Sequence, residues 1–262
     1  MNKIALIIII STSILITGCG TNQTTHQNTP TKITDSVVVT PDPVITTAPN
    51  LNMETKNQPY SITTETFSQG NIEIQYPQIK WLGDVSKEKA INDLIENDIL
   101  YSKIEEPTKS SDATYTIDEL TLDLKYQVTM STSELLSVVY TGYSNIEGSA
   151  HPNNDIYAIT IDLKDTTKLK ISDFTNMDAN LAKKIKQSTA VTNDAVKDGM
   201  DKSTLINAIQ DMDDQTLIQG LEEQWAYNTF YVTPNSLVVS VDVAHAIGDY
   251  ALVELSGQYT RK

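Results

Sequence analysis

Leu120–Tyr143 reads LTLDLKYQVTMSTSELLSVVYTGY. Leu120, Leu122, Leu124, Tyr126 and Val128 occupy alternate positions, the period of a strand with one buried face. Ser131-Thr132-Ser133 supplies the short polar residues of a turn. Leu135 to Tyr143 then returns as a second apolar run. The pattern predicts a long antiparallel hairpin between about Tyr115 and Tyr143.

The reading extends upstream. Tyr60 to Glu65 and Asn71 to Tyr76 are expected strands around a Gln69-Gly70 turn. Ser86 is an expected cap for a helix whose apolar stripe is Ala90, Ile91, Leu94, Ile95 and Ile99. Downstream, Ile156 to Leu163 alternates as a strand, and Lys164-Asp165-Thr166-Thr167 signals a turn. Leu169 to Ile171 is an expected short strand. Ala179 to Val196 reads as a helix with Leu181, Ile185 and Val191 inward, and Lys202 to Asp211 and Gln215 to Glu223 as further helical pieces. Trp225 to Val232, Leu237 to Val243 and Tyr250 to Leu255 close the chain as strands. Strands at both ends with helices between them argue an α+β fold, antiparallel sheets with a few packed helices.

The chain carries 34 acidic against 19 basic residues, a formal charge of −15. Of these, 31 acidic and 16 basic residues fall in 60–262, so the expected folded part owns the acidity. Such a surface excludes a nucleic-acid binder that works through phosphate contacts. It leaves room for a basic partner, because opposite charge steers encounter.

The first 18 residues read as an export signal: Lys3 for the charged start, then Ile4 to Ile16 as a short apolar run. Leu15-Ile16-Thr17-Gly18-Cys19 resembles a lipobox, and Cys19 is the one cysteine of the chain. The expectation is a lipoprotein whose Cys19 is acylated and held in membrane lipid, on the extracytoplasmic face of a bacterial cell membrane. Two or more acyl chains suffice for stable anchoring. Residues 19–59 follow as a tether. Gly20 to Pro59 holds ten Thr, five Pro, five Asn and three Gln, a composition that cannot bury enough surface to order itself. Extended at about 3 Å per residue, it would reach on the order of 100 Å.

Ile74-Gln75-Tyr76-Pro77-Gln78-Ile79, followed by the helix with Ile91-Asn92, resembles the start of the DUF4163 family. Leu135-Leu136-Ser137-Val138 and Gly148-Ser149-Ala150-His151-Pro152-Asn153 resemble its junction with the DUF3298 family. Ile159 to Leu163, Leu169 to Phe174 and Phe230 to Leu237 are similar to the DUF3298 core. The resemblance implies two subdomains, 60–148 and 149–262. It also implies an envelope setting: this tandem occurs in a lysozyme-sensing anti-sigma factor and in the non-catalytic region of a peptidoglycan deacetylase. Val243-Ala244-His245-Ala246 departs from the pattern, where an aromatic is usual.

Two groups of residues stand out as candidate sites. Asp211, Asp213, Asp214, Glu222 and Glu223 form the densest acidic run, with Trp225 immediately after. Acids beside an exposed aromatic have the anatomy of a docking hot spot. Alternation places Tyr227 on a face with Tyr231. The second group is a polar loop at His151, with Asp155 nearby and Ser149 two residues back. A triad needs the ring within reach of a nucleophile and a carboxylate, and a metal held by His151, Asp155 and His245 would need the fold to gather them. The simpler expectation is that His151 donates to a backbone carbonyl and pins its loop. No phosphate-binding glycine loop, GxSxG or HExxH occurs, and no cofactor, metal site or catalytic residue is expected. The reading is a non-enzymatic envelope binding or sensing module for lysozyme or peptidoglycan. The alternative is a wall hydrolase that uses two carboxylates.

Overall fold

A computed structural model describes residues 60–262. The expected signal, Cys19 and the tether lie outside the described residues. The observed elements are α+β. Ser61–Gln69 (β1) and Ile72–Lys80 (β2) form a hairpin around Gly70, which adopts the left-handed φ such a turn needs. Val85–Leu100 (α1) then carries the chain across the sheet. The crossover explains why Leu120–Ser131 (β3) pairs with β2 in parallel, whereas every other pairing is antiparallel. Leu135–Ile146 (β4), Asn153–Asp162 (β5) and Thr167–Lys168 (β6) complete a six-stranded sheet in sequence order. The 148/149 point falls in the connection between β4 and β5, which are partners in that sheet.

Helix α1 is capped by Asp84 rather than Ser86. The Asp84 carboxylate accepts from the Ser86 and Lys87 backbone N–H groups at 3.0 and 3.1 Å, and an anion suits that end of the helix. Ile91, Ile95 and Ile99 are buried against Ile74, Ile79, Leu122, Leu124 and Tyr140. Asn92 fixes the helix to the sheet. Its side-chain oxygen accepts from Ile79 N–H at 2.8 Å, and its amide donates to Ile79 C=O at 2.9 Å. The expected alternation along β3 holds through Leu124. A bulge between Val128 and Met130 then breaks the register and turns Thr129 inward.

The second sheet has the order β7-β10-β9-β8: Val191–Thr192 (β7), Thr229–Thr233 (β8), Ser236–Asp242 (β9) and Tyr250–Ser256 (β10). Ala179–Gln187 (α3), Lys202–Gln210 (α5) and Asp214–Glu223 (α6) cover one face, through Leu181, Ile185, Leu205, Ile209, Leu217 and Leu221. Two short helices, Glu106–Lys109 (α2) and Asp194–Lys197 (α4), are minor elements.

Three sequence expectations fail here for local reasons. The helix expected to reach Val196 stops at Gln187, and Val191-Thr192 instead pairs with β10, where β-branched residues fit. The strand expected at Leu169 shifts to Thr167–Lys168, with a single 3₁₀ turn at Ile171–Asp173. The strand expected from Trp225 starts at Thr229, because Gln224 and Ala226 both take left-handed backbone angles that no strand accommodates.

The two sheets meet through their other faces. Val139, Ile156 and Ala158 pack on Tyr250, Tyr227, Tyr231 and Leu252. The first half of β4 is therefore buried on both sides, which explains why Leu136, Val138, Val139 and Tyr140 are apolar on both faces around the single buried Ser137. Gly142 in β4 is required by close approach: a Cβ there would sit 1.8 Å from the Asp123 carbonyl oxygen.

Candidate functional site

The acidic run divides when folded. Asp213 is the N-cap of α6, and the Thr216 backbone N–H at 2.8 Å and hydroxyl at 3.1 Å hold its carboxyl below the usual range. Asp178 and Asp201 cap α3 and α5 in the same way, so part of the chain's acidity is architectural. Asp211 ends α5 and does not line the groove that holds the others. Asp214, Glu222 and Glu223 share a groove along α6 with Asp178, over an apolar floor of Met177 and Ile218. Spacings of four and eight residues put Asp214, Ile218 and Glu222 on one helix face. Lys186 pairs with Asp214 at 2.7 Å and partly offsets its charge. Trp225 stands just beyond the helix, 42 % exposed, and its indole N–H donates to Glu223 at 2.8 Å. Tyr227 and Tyr231 both pack against the cluster between the sheets, Tyr227 with its ring 6.4 Å from that of Tyr250, and only Tyr231 lies in a strand. Burial pushes the Tyr231 hydroxyl up to about 12.

The histidine loop is arranged differently from its expected form. The His151 ring stacks on His245, with centroids 5.7 Å apart and planes 18° from parallel. His245 Nδ1 lies 2.7 Å from Asp249, whose other oxygen accepts from the Asn154 backbone N–H at 2.7 Å. The carboxylate beside the histidines is thus Asp249. Asp155 is buried elsewhere, in an ion pair with Lys103. Ser149 donates to Asn145 at 2.9 Å and lies 3.4 Å from the His151 backbone oxygen, with no bond to the ring. Among the described residues, no group of three or more His, Cys, Asp or Glu side chains is arranged to hold a metal.

A third site was not anticipated. Beyond α1 the chain continues as a π-helical turn, Tyr101–Glu105, and such turns recur at functional positions. This turn places Ser102 and Lys103 on one wall of a cleft of about 400 Å³, in the size range of small-ligand sites. Tyr157 of β5 and Lys168 of β6 form the back. The left-handed loop at Gln224 and Ala226, with Thr229 at the start of β8, forms the opposite wall. Tyr157 donates to Asp98, while Ser102 and Lys168 donate to the Tyr157 oxygen at 3.1 and 2.7 Å. Burial, then the Asp98 charge, drives the Tyr157 hydroxyl far above its ordinary value, so it stays protonated. Both lysines are matched: Lys168 by Asp98 at 3.0 Å, Lys103 by Asp155. No local motif announces this cleft, because its walls come from segments far apart in the chain.

With this geometry in place, the comparisons with known proteins locate the likeness. Residues 61–154 match the family model described as Deacetylase PdaC. The matched segment is a little over a third of the chain and runs from β1 into the start of β5. It contains the π-helical wall of the cleft and excludes α6, Thr229 and His245. No curated protein matches the chain. A DUF3298 family member from Bacteroides fragilis is 12 % identical, covering 75 % of this chain and 90 % of its own, with a TM-score of 0.45. A DUF3298 family protein from Pseudomonas aeruginosa is 13 % identical, covering 77 % and 92 %, with a TM-score of 0.41.

Proposed function

We propose that the chain is a non-enzymatic binding or sensing module of the bacterial cell envelope, of the DUF4163/DUF3298-like tandem kind. In this reading lipid on Cys19 anchors it outside the membrane and residues 19–59 space it from the surface. The α6 groove, with Trp225 at its end, docks a cationic wall-active protein such as lysozyme, and peptidoglycan is the competing partner. The observation that supports the reading is the join of Asp214, Glu222 and Glu223 to an apolar floor and an exposed indole. Acids alone would be a solvated face. Acids beside exposed apolar surface can steer a basic protein and then exclude water. The family match at 61–154 and the resemblance of the remainder to an envelope-sensing region point the same way.

The test mixes the purified full chain with lysozyme at low and at physiological salt. Binding that weakens as salt rises, and that falls further in Glu222→Lys and Trp225→Ala, is the expected result. Absence of binding at both salts rejects the docking reading. Release of muropeptides from added peptidoglycan by the chain would reject the non-enzymatic one.

A further inference from the structure

Trp81 and Val85 are the two most exposed large apolar side chains among the described residues, at 77 % and 83 %. They frame the passage from β2 into α1. Nothing in the strand pattern requires the indole to be outside. Ile79, two residues earlier in β2, is fully buried, and continued alternation would put Trp81 on the same face. Instead the backbone at Trp81 steps to a φ of 63°, an outlier for a bulky side chain, and the strand ends. The loop is held in this form. The Leu82 N–H donates to Glu88 at 3.1 Å, Gly83 is a second left-handed residue, and Leu82 packs against the core. An exposed indole and a left-handed aromatic are each unfavourable in water. A fixed loop that keeps both points to a partner outside the chain.

Position, charge and size together say what that partner is. The described residues begin at Tyr60, and Ser61 is opposite Lys80 in the β1–β2 register. The loop therefore lies at the end of the sheet where residues 1–59 join it. Residues 80–89 hold Lys80, Lys87 and Lys89 against Asp84 and Glu88, a net +1, in a folded part with 31 acidic and 16 basic residues. An anionic lipid surface repels that part as a whole and attracts this segment. Two exposed apolar side chains beside a half-buried Leu82 fall far short of the about 800 Å² per partner of a standard protein interface. Trp and Lys are the residues that settle at a membrane–water boundary. The indole sits at headgroup level, and the lysine stem lies along apolar surface with its charge in water.

We infer that the loop at 81–85 is a second, reversible contact with the lipid surface, the Trp81 indole entering the headgroup layer. The inference rests on the anchoring at Cys19 in the proposed function, because a tether turns a weak contact into an intramolecular one. The same tether lets the folded part leave the surface. The α6 groove plays no part in this contact.

The experiment mixes the purified full chain with vesicles of phosphatidylcholine and phosphatidylglycerol in equal parts and floats them on a density gradient. The chain has two tryptophans, so Trp225→Phe leaves Trp81 as its one indole. In the floated chain, Trp81 emission is expected to shift to shorter wavelength and to be quenched by lipid brominated on its acyl chains. Trp81→Phe leaves Trp225, whose emission should do neither. Val85→Asp, in the Trp225→Phe background, places an acid at an exposed site in the first helical turn. That suits the helix and opposes entry into lipid. It should lose the quenching and keep its melting temperature. Cys19→Ala tests the anchor separately and should lose flotation. A floated chain whose Trp81 is unquenched overturns the inference, leaves the anchor standing, and leaves the loop to a protein partner. Quenching of Trp225 as strong as that of Trp81 overturns it too, and so does a Val85→Asp chain quenched as strongly as its parent. If the unaltered chain does not float, the anchor fails and the inference fails with it. If Cys19→Ala floats as well as the unaltered chain, the Cys19 anchor alone fails, and Trp81 quenching still decides the loop.

Discussion

Two sets of buried hydroxyls lie between the same pair of sheets, and they have opposite fates. At one end of β8, Ser137 bonds Thr160 at 2.8 Å and accepts from the Val232 backbone N–H at 3.1 Å, and Thr129 donates to Val232 C=O at 2.8 Å. β8 is the edge strand of its sheet, so Ser137 and Thr129 cover main-chain groups that would otherwise be left open, and Thr160 holds Ser137 in place. At the other end, Thr229 and Ser240 have no partner. The residue types are the same and so is the depth. What differs is the neighbour: a strand of the other sheet at Val232, an open cleft at Thr229. Burial of a hydroxyl alone therefore does not tell structure from function. The identity of the atom it faces does.

The largest effect is expected at the satisfied end. Ser137→Ala removes the acceptor for Val232 N–H and the partner of Thr160, leaving two buried groups unpaired. The expected loss is about 2–3 kcal/mol, read as a lower denaturant midpoint with an unchanged slope. A midpoint equal to that of the unaltered chain would show that the stitch is not structural. Thr129→Val should cost less, about 1 kcal/mol, because Val232 C=O loses one donor and no N–H is orphaned. A double-mutant cycle on Ser137 and Thr129 should show coupling through Val232, since both act on one peptide.

The satisfied end explains how much could be read in advance. The β3–β4 hairpin was legible because Leu120, Leu122 and Leu124 repeat at the strand period and are buried as that period requires. Thr129 was not legible as a core residue, because its inward turn depends on a bulge at that position, between Val128 and Met130. Asp213 and Glu223 look alike in sequence, yet one caps a helix and the other holds an indole N–H. His151 and His245 lie 94 positions apart, and only the meeting of the sheets stacks them. The cleft lay furthest out of reach, because its walls are set by tertiary packing and by two left-handed residues with ordinary side chains.

A pH dependence tests β5, the strand that carries Thr160, at its C-terminal residue Asp162. Burial acts to raise the Asp162 carboxyl, but the backbone N–H groups of Asp165 and Lys164 and the Arg261 guanidinium outweigh it. They hold the carboxyl below the ordinary range. A depressed carboxyl contributes stability that is fully present above its unfolded value, near 4, and is lost as pH falls through the lower folded value. Arg261→Ala removes one of those influences. It should move the acid-unfolding midpoint to higher pH and leave stability at pH 7 only slightly lower. An unmoved midpoint would mean that the backbone N–H groups alone hold the carboxylate.

The smallest expected effect is the most informative. Ser240→Ala deletes a hydroxyl that bonds to nothing, and it leaves only the volume of one oxygen behind. The methylene stays packed and Thr229 keeps its position in the register. A loss would require either a bond that the deletion breaks or a cavity that the core cannot close. The first is absent and the second is smaller than a methyl group. The expected change is within about 0.5 kcal/mol, with a gain as acceptable as a loss. Set beside Ser137→Ala, this gives two serine hydroxyls at equal depth that differ several-fold in their worth to the fold. If Ser240→Ala instead costs as much as Ser137→Ala, the two ends of β8 are alike. Thr229 and Ser240 then bond one another in solution, and the cleft has no unpaired group to offer a ligand.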